Sequence, residues 1–314
     1  MQIRSVAAFF VKISLKGFLF FQNNDKMACT FYSSTKGLGI TMRYRRQLAL
    51  LLLECILWIS CTGCGRTAGE ENATDSSLPQ IIVGCDYYPP YNFKDENGNP
   101  EGIDIELATE AFQRMGYTPV FQYIDWEQKK ELVENGTVDC IWSSFTMTGR
   151  EDQYQWAGPY MVSRQVVAVN PGSEIRQLDD LTDKVVAVQS TTKPEQLLLE
   201  AAQNGLPQVR EVYSLENREL LYTSLGKGYV DAIAAHEISI RQYMKDYDVE
   251  YRILPESLQD VGLGVAFSRE DDRGLAEELT QVLEEMRADG TSAEILGKYL
   301  TDAESFLEVE SLEK

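Results

Sequence analysis

Between Ser143 and Arg150 the chain reads Ser-Ser-Phe-Thr-Met-Thr-Gly-Arg, with four hydroxyls, a glycine and an arginine in eight residues. The hydroxyls can donate hydrogen bonds, and the guanidinium adds a permanent positive charge with a planar fork of donors. An ordinary strand end turns with one Gly, Asn or Asp; this one gathers donors around a cation. Two further stretches carry related chemistry. Asp86 to Tyr91 puts one carboxylate among Tyr87, Tyr88 and Tyr91, rings that can stack on a side chain or a cation. Gln189-Ser190-Thr191-Thr192 stands before Pro194, at the start of a predicted helix whose free amides and positive dipole end suit an anion. His236 is the only histidine, and Glu237 follows it. Beyond Cys64 only Cys85 and Cys140 remain, so the spacing supports no zinc site, and no metal or cofactor is expected. The two read as buried thiols, with one disulfide as the alternative.

Each stretch follows an apolar run with the character of a strand. Predicted strands cover 81–83, 120–124, 138–142, 185–188, 209–213, 230–234 and 262–267. Helical periodicity covers 103–115, 126–135, 194–204, 215–225, 275–288 and 294–300. Strands alternating with helices imply an α/β chain with a parallel sheet. Gly136-Thr-Val-Asp-Cys-Ile141 is echoed by Gly228-Tyr-Val-Asp-Ala-Ile233, each after a helix, which suggests two similar lobes. Asp139 and Asp231 in that echo are read as structural. Lobe I is expected over 79–163, lobe II over 164–261, and 262–314 returns to lobe I. The chain then crosses twice, near 160–166 and 255–262, and two crossings make a hinge. Ligands of open α/β sheets lie beyond the carboxyl ends of strands, so the three stretches can face one cleft.

The net charge of −20 and pI near 4.5 argue against nucleic acid as a partner, which requires basic patches. The charge is uneven. Residues 1–64 hold eight Lys/Arg and two Asp/Glu, which leaves 21 basic and 47 acidic residues, a net of −26, for the rest. Met42-Arg-Tyr-Arg-Arg46 is a basic start, the mostly apolar run 47–60 follows, and Thr62-Gly63-Cys64 ends it. The run is short for a membrane span and suits an export signal. It resembles bacterial lipoprotein signals, in which a cysteine after small residues is lipidated; Cys64 fits, with Cys61 as the fallback and plain secretion as the alternative. Residues 1–41 read as upstream sequence before a start at Met42, and 65–78 as a flexible tether.

The stretches IIVGCDYYPPYNF, GIDIELATEAFQRMGY, YIDWEQKKELVENGTVDCIWSSFTMTGRED, WAGPYM, VVAVQSTTKPEQLL, GKGYVDAIAAHE, and GLGVAF with LEEMRADGTSAEILGKYL occur in this order over 79–302. Together they resemble the bacterial extracellular solute-binding proteins of family 3, the amino-acid type that feeds ABC importers. The resemblance implies a two-lobe periplasmic-binding-protein-like fold (type II), with two crossover strands forming a hinge. It implies a monomer that captures an amino acid or close analogue and presents it to an ABC permease outside the cytoplasm, held at the membrane by lipid on Cys64. By resemblance Arg150 takes the ligand's α-carboxylate. Ser143, Ser144, Thr146 and Thr148 add donors, and Gln189, Thr191 and Thr192 approach from the other lobe. Tyr88, Tyr91 and Trp142 would stack on the ligand, whereas Trp126 is read as helix-start packing. Relatives place an aspartate for the α-ammonium where His236 stands, which leaves His236, Glu237 and Asp86 as candidates. Arg150 comes two residues after Thr148, where relatives leave three, and Gln189–Thr192 lacks a common glycine. A sensor docking a membrane receptor and a cyclohexadienyl-dehydratase-like enzyme are the alternatives on this fold.

Overall fold

Ile81 and Val83 enter one apolar cluster and Ile82 packs against another. A strand so covered on both faces belongs in a sheet with helices on either side. The computed structural model describes residues 20–23, 26–29 and 78–313. It divides into the units Met1–Ala73 and Thr74–Lys314. In the first, β1 (Phe20–Asn23) and β2 (Lys26–Cys29) form an antiparallel pair. The signal segment with Cys64, and the tether as far as residue 77, lie outside the described residues.

The second unit runs β3 (Gln80–Cys85), β4 (Phe93–Lys94), β5 (Pro100–Glu101), α1 (Ile103–Arg114), β6 (Thr118–Tyr123), α2 (Lys129–Glu134) and β7 (Cys140–Ile141). It continues with β8 (Gln155–Val169), β9 (Val185–Gln189), α3 (Lys193–Leu199), β10 (Glu211–Leu215), α4 (Arg218–Gly226) and β11 (Ala232–His236). Helix α5 (Glu237–Asp246), β12 (Arg252–Phe267), α6 (Leu275–Ala288) and α7 (Thr291–Gly297) complete it. Eight strands form one sheet in the order β10-β9-β11-β8-β12-β7-β3-β6. The two lobes are the two ends of that sheet. Along β9, Val186 and Val188 enter one cluster and Ala187 another, the same alternation as in β3.

Strands β8 and β12 run through both lobes, at 15 and 16 residues. The first part of β8 pairs with the end of β12 (Gln155 with Phe267, Met161 with Leu263), and its last part pairs with β11 (Val166 with Ala235). Register shifts fall between Ile253 and Ser257, Ser257 and Gln259, and Leu263 and Val265, on either side of the Arg164–Asp260 pair. Bulges bend and twist a ribbon locally, and these fall where the two strands pass from one end of the sheet to the other. Sequence periodicity gave no strand over 155–169 and placed the start of β12 ten residues late, because the shared segments mix polar and apolar residues. It also gave no helix over Glu237–Asp246.

The loop after β3 is held against the start of α1. Ile103 and Asp104 donate their amides to the Pro90 and Tyr91 carbonyls, each at 3.0 Å. Gly102 permits this approach: its φ is 127°, and a Cβ there would stand 2.3 Å from the Tyr91 carbonyl oxygen.

Candidate functional site

Residues Ser143 to Arg150 leave the end of β7 and are fixed from below by α1. Asp104, fully buried, accepts from the Ser144 amide at 2.6 Å, the Tyr160 hydroxyl at 2.8 Å and the Asn92 side-chain amide at 3.0 Å. Burial pushes its carboxyl up to about 6, against these donors. Ser144 is thereby held at a positive φ of 43°. Ser143 Oγ accepts from the Asp86 amide at 3.0 Å, tying the loop after β3 to the loop after β7.

A narrow slot of about 20 Å³ lies between the lobes. From lobe I its wall takes Tyr88, Trp126, Ser143, Ser144, Thr146 and Arg150; from lobe II it takes Gln189, Thr192, Lys193, Arg218 and His236. Gln165 of β8 lies on the wall between them. Beside it a larger chamber of about 400 Å³ shares Tyr88, Trp126, Gln189 and Arg218, and adds Asp86 and Tyr243.

Arg150 is 8% exposed. Its Nη1 donates to the Thr146 carbonyl at 3.4 Å, and its Cζ lies 5.4 Å from the Phe145 ring centre. Among the described residues no carboxylate oxygen comes within 4.0 Å of it, and burial pulls its pKa below the usual arginine value. Lys193 of α3 reaches the same place: a Cβ on Gly149 would stand 2.7 Å from its Nζ. Burial, and then Arg150, lower its pKa. Lys129 sits behind Trp126, donating to the Trp126 carbonyl at 3.0 Å and to Thr191 Oγ1 at 2.7 Å. Burial, followed by Arg150 and Arg218, lowers Lys129 to about 7.

Other contacts hold the lobes together. Arg218 lies over the Tyr88 ring, its Cζ 3.2 Å from the ring centre, and donates to Asp86 at 3.1 Å. Gln189 donates to Asp86 at 3.0 Å, and Ser239 to the Pro89 carbonyl at 2.8 Å. His236, fully enclosed, lies 2.8 Å from Ser163 Oγ through Nδ1 and accepts from Gln165 at 3.0 Å through Nε2. Burial, with Arg218 adding to it, takes its pKa down to about 3, so the ring is neutral at ordinary pH.

Of the residues singled out from the sequence, Asp86, Tyr88, Ser143, Ser144, Thr146, Arg150, Gln189, Thr192 and His236 line the slot or the chamber. The other five do not. Trp142 is enclosed in the lobe I core, packed edge-on against Phe112. Tyr91 is equally enclosed, with its hydroxyl 3.4 Å from Ser163 Oγ. Thr148 accepts from the Gly262 amide, which pins the loop to β12. Thr191 accepts from Lys129, and its own amide donates to Glu195 at 2.6 Å, so this amide at the start of α3 already has an acid. Glu237 is held by Arg164 at 2.8 Å and Arg241 at 2.6 Å, away from the slot. Cys85 and Cys140 are free and buried.

Sequence reasoning did not place Trp126, Gln165, Lys193 or Arg218 on the wall. Lys193 had a signal, since it adjoins Thr192 at the same helix start. Gln165 had one as the last of three polar residues, Ser163 to Gln165, that interrupt the run 161–169. Arg218 had none, because its role depends on Asp86, which lies 132 positions away.

The family model of bacterial extracellular solute-binding proteins, family 3, matches residues 81–302. The chain is 25% identical over 266 residues to a probable histidine-binding protein of Neisseria gonorrhoeae, covering 82% of this chain and 96% of that relative. An ancestral arginine-binding protein solved with arginine aligns with a TM-score of 0.64 and 29% identity, over 70% of this chain and 98% of that one. An ancestral amino acid-binding protein, a precursor of cyclohexadienyl dehydratase, aligns with a TM-score of 0.62 and 27% identity, over 70% of this chain and 95% of that one.

Proposed function

The chain belongs to the bacterial extracellular solute-binding proteins of family 3, and on that premise we propose that it is the extracytoplasmic solute-receptor of an ABC importer. It captures an amino acid or close analogue between its lobes and presents it to the permease. The lobes are taken as 79–163 with 262–314, and 164–261. One observation carries the reading: Arg150 is buried without a carboxylate, on a wall to which both lobes contribute. A buried unpaired guanidinium is costly, and a ligand carboxylate would satisfy its fork of donors.

A slot of about 20 Å³ is too small for an amino acid, so in this reading the lobes part about β8 and β12 to admit one. The ligand then stabilises closure by touching both lobes. Asp86 with Arg218 and Gln189, Lys129 with Thr191, and Ser239 with the Pro89 carbonyl are among the contacts that opening breaks. The enzymatic alternative would enlist His236 with Glu237, but His236 is neutral on the slot and Glu237 is held by two arginines outside it.

Among the described residues no helix is long and apolar enough to cross a membrane. The membrane tie in this reading is lipid on Cys64 followed by a tether, since two or more acyl chains give stable anchoring. Calorimetry with a panel of amino acids and their analogues tests the receptor reading. Binding by at least one of them, with compaction in small-angle scattering, is expected; no binding by any would overturn it.

A further inference from the structure

The slot wall carries Arg150, Lys193 and Arg218, and no aspartate or glutamate. Lys129 adds a fourth base directly behind Trp126, its Nζ 4.8 Å from that ring's centre. All four are withdrawn from water: Arg150, Lys129 and Lys193 are 6–8% exposed, and the Arg218 side chain 11%. Of the acids around these bases, Asp86 lines the outer chamber and is engaged with Arg218, Glu195 accepts from the Thr191 amide at 2.6 Å, Glu151 is exposed and accepts from the Gly149 amide at 2.8 Å, and Glu200 is exposed; none of them lines the slot. Asp104, below the loop, already accepts from three donors. Asp125, Glu216, Glu219 and Asp246 line the outer chamber, but they are exposed to solvent and do not neutralise the slot.

A zwitterion would bring one negative and one positive charge into this place. Its carboxylate would be well received by Arg150. Its ammonium would meet a neutral His236 and several buried cations of its own sign. Gln165 Oε1, Gln189 Oε1 and Ser144 Oγ are buried without a partner among the described residues. These neutral oxygens can accept from an ammonium, but they carry no countercharge. Buried charge of one sign is relieved by a ligand of the other.

We propose that the solute taken by this slot is a net-negative acid of the dicarboxylate type, one acid group between Arg150 and Lys193 and the second toward Arg218, with no requirement for an α-ammonium. This rests on the receptor reading above and narrows its ligand. Arg218 then serves two states. With the slot closed on itself it lies over Tyr88 and pairs with Asp86. With solute present it shares its outer donors with the acid. Asp86, by holding Arg218 in place, acts as a positioning residue.

The test is calorimetry on the purified protein, stripped of any carried ligand by unfolding and refolding. The probes are L-glutamate, 2-oxoglutarate and succinate on one side, and L-glutamine, L-histidine and L-arginine on the other. The acids should bind on the order of 100-fold more tightly than arginine, the scale of a like-charge penalty in a desolvated site. 2-Oxoglutarate should fall within about ten-fold of glutamate, since the amine adds no countercharge. Tighter binding of glutamine, histidine or arginine than of every acid overturns the inference and leaves the receptor reading standing. So does binding of glutamate alone among the acids, which would mean that the ammonium is required. Binding by none of the six overturns the inference, and extending the titration to the remaining amino acids decides the receptor reading separately.

Discussion

Replacing Arg150 with methionine should move stability and affinity in opposite directions. Methionine keeps much of the length and removes the charge. In the unliganded protein Arg150 has one long hydrogen bond, to the Thr146 carbonyl at 3.4 Å, and a stacking contact with Phe145 at 5.4 Å. The stack contributes about 0.5–1 kcal/mol. Against it stands the cost of holding an ion without a counter-ion, several kcal/mol for a buried group. Arg150→Met should therefore leave the melting temperature unchanged or raise it by a few degrees, at roughly 2–4 °C per kcal/mol for a body of this size. Affinity should fall by about 2–5 kcal/mol, the scale for removing one partner of a buried charge pair. That is roughly 30- to 4,000-fold in Kd. Scanning calorimetry without solute and titration calorimetry with the tightest-binding solute provide the two numbers. A lower melting temperature with unchanged affinity would make Arg150 a structural residue and refute the reasoning.

Glu237→Gln should change affinity by no more than about two-fold, because both its carboxylate oxygens are taken by Arg164 and Arg241 outside the slot; a ten-fold loss would bring it to the ligand. Lys129→Met should stabilise the protein in a pH-dependent way. Lys129 titrates at about 7 in the fold, while an unfolded lysine titrates near 10.4. The unfolded chain therefore binds the proton more readily, so the parent loses stability as pH falls from about 10 to 7 and loses no more below that. Urea denaturation should find the variant's advantage larger at pH 6 than at pH 9 by about 2–3 kcal/mol, and an equal advantage at both would refute it. Cys64→Ser should shift the protein from the membrane pellet to the soluble fraction on cell fractionation; retention in the pellet would point to another anchor.

The parts of the fold with a one-residue signal were legible in the sequence. Apolar runs marked β3, β9 and β11 to within about two residues, the usual uncertainty of element ends. Helices α1 and α6 were marked by their periodicity. Two kinds of feature escaped. The long strands β8 and β12 do not repeat one pattern, because each passes from one core to the other across a polar crossing. The cationic character of the slot escaped too, because it arises only when residues far apart in sequence converge: Lys129 from α2, Arg150 from the loop after β7, Lys193 from α3 and Arg218 from α4. Trp142 shows the opposite error. It adjoins the donor-rich stretch, but strand alternation turns it into the lobe I core. Arg150 could be singled out from the sequence because an arginine beside four hydroxyls at a strand end has few uses that are purely structural, and the fold places it on the slot wall.

A crystal structure with the tightest-binding solute tests the central claim most directly. A solute carboxylate on the Arg150 guanidinium fork is expected, with Thr192 or Lys193 touching the same molecule from the opposite lobe. A solute contacting one lobe only, or an Arg150 side chain turned out to water, would contradict it.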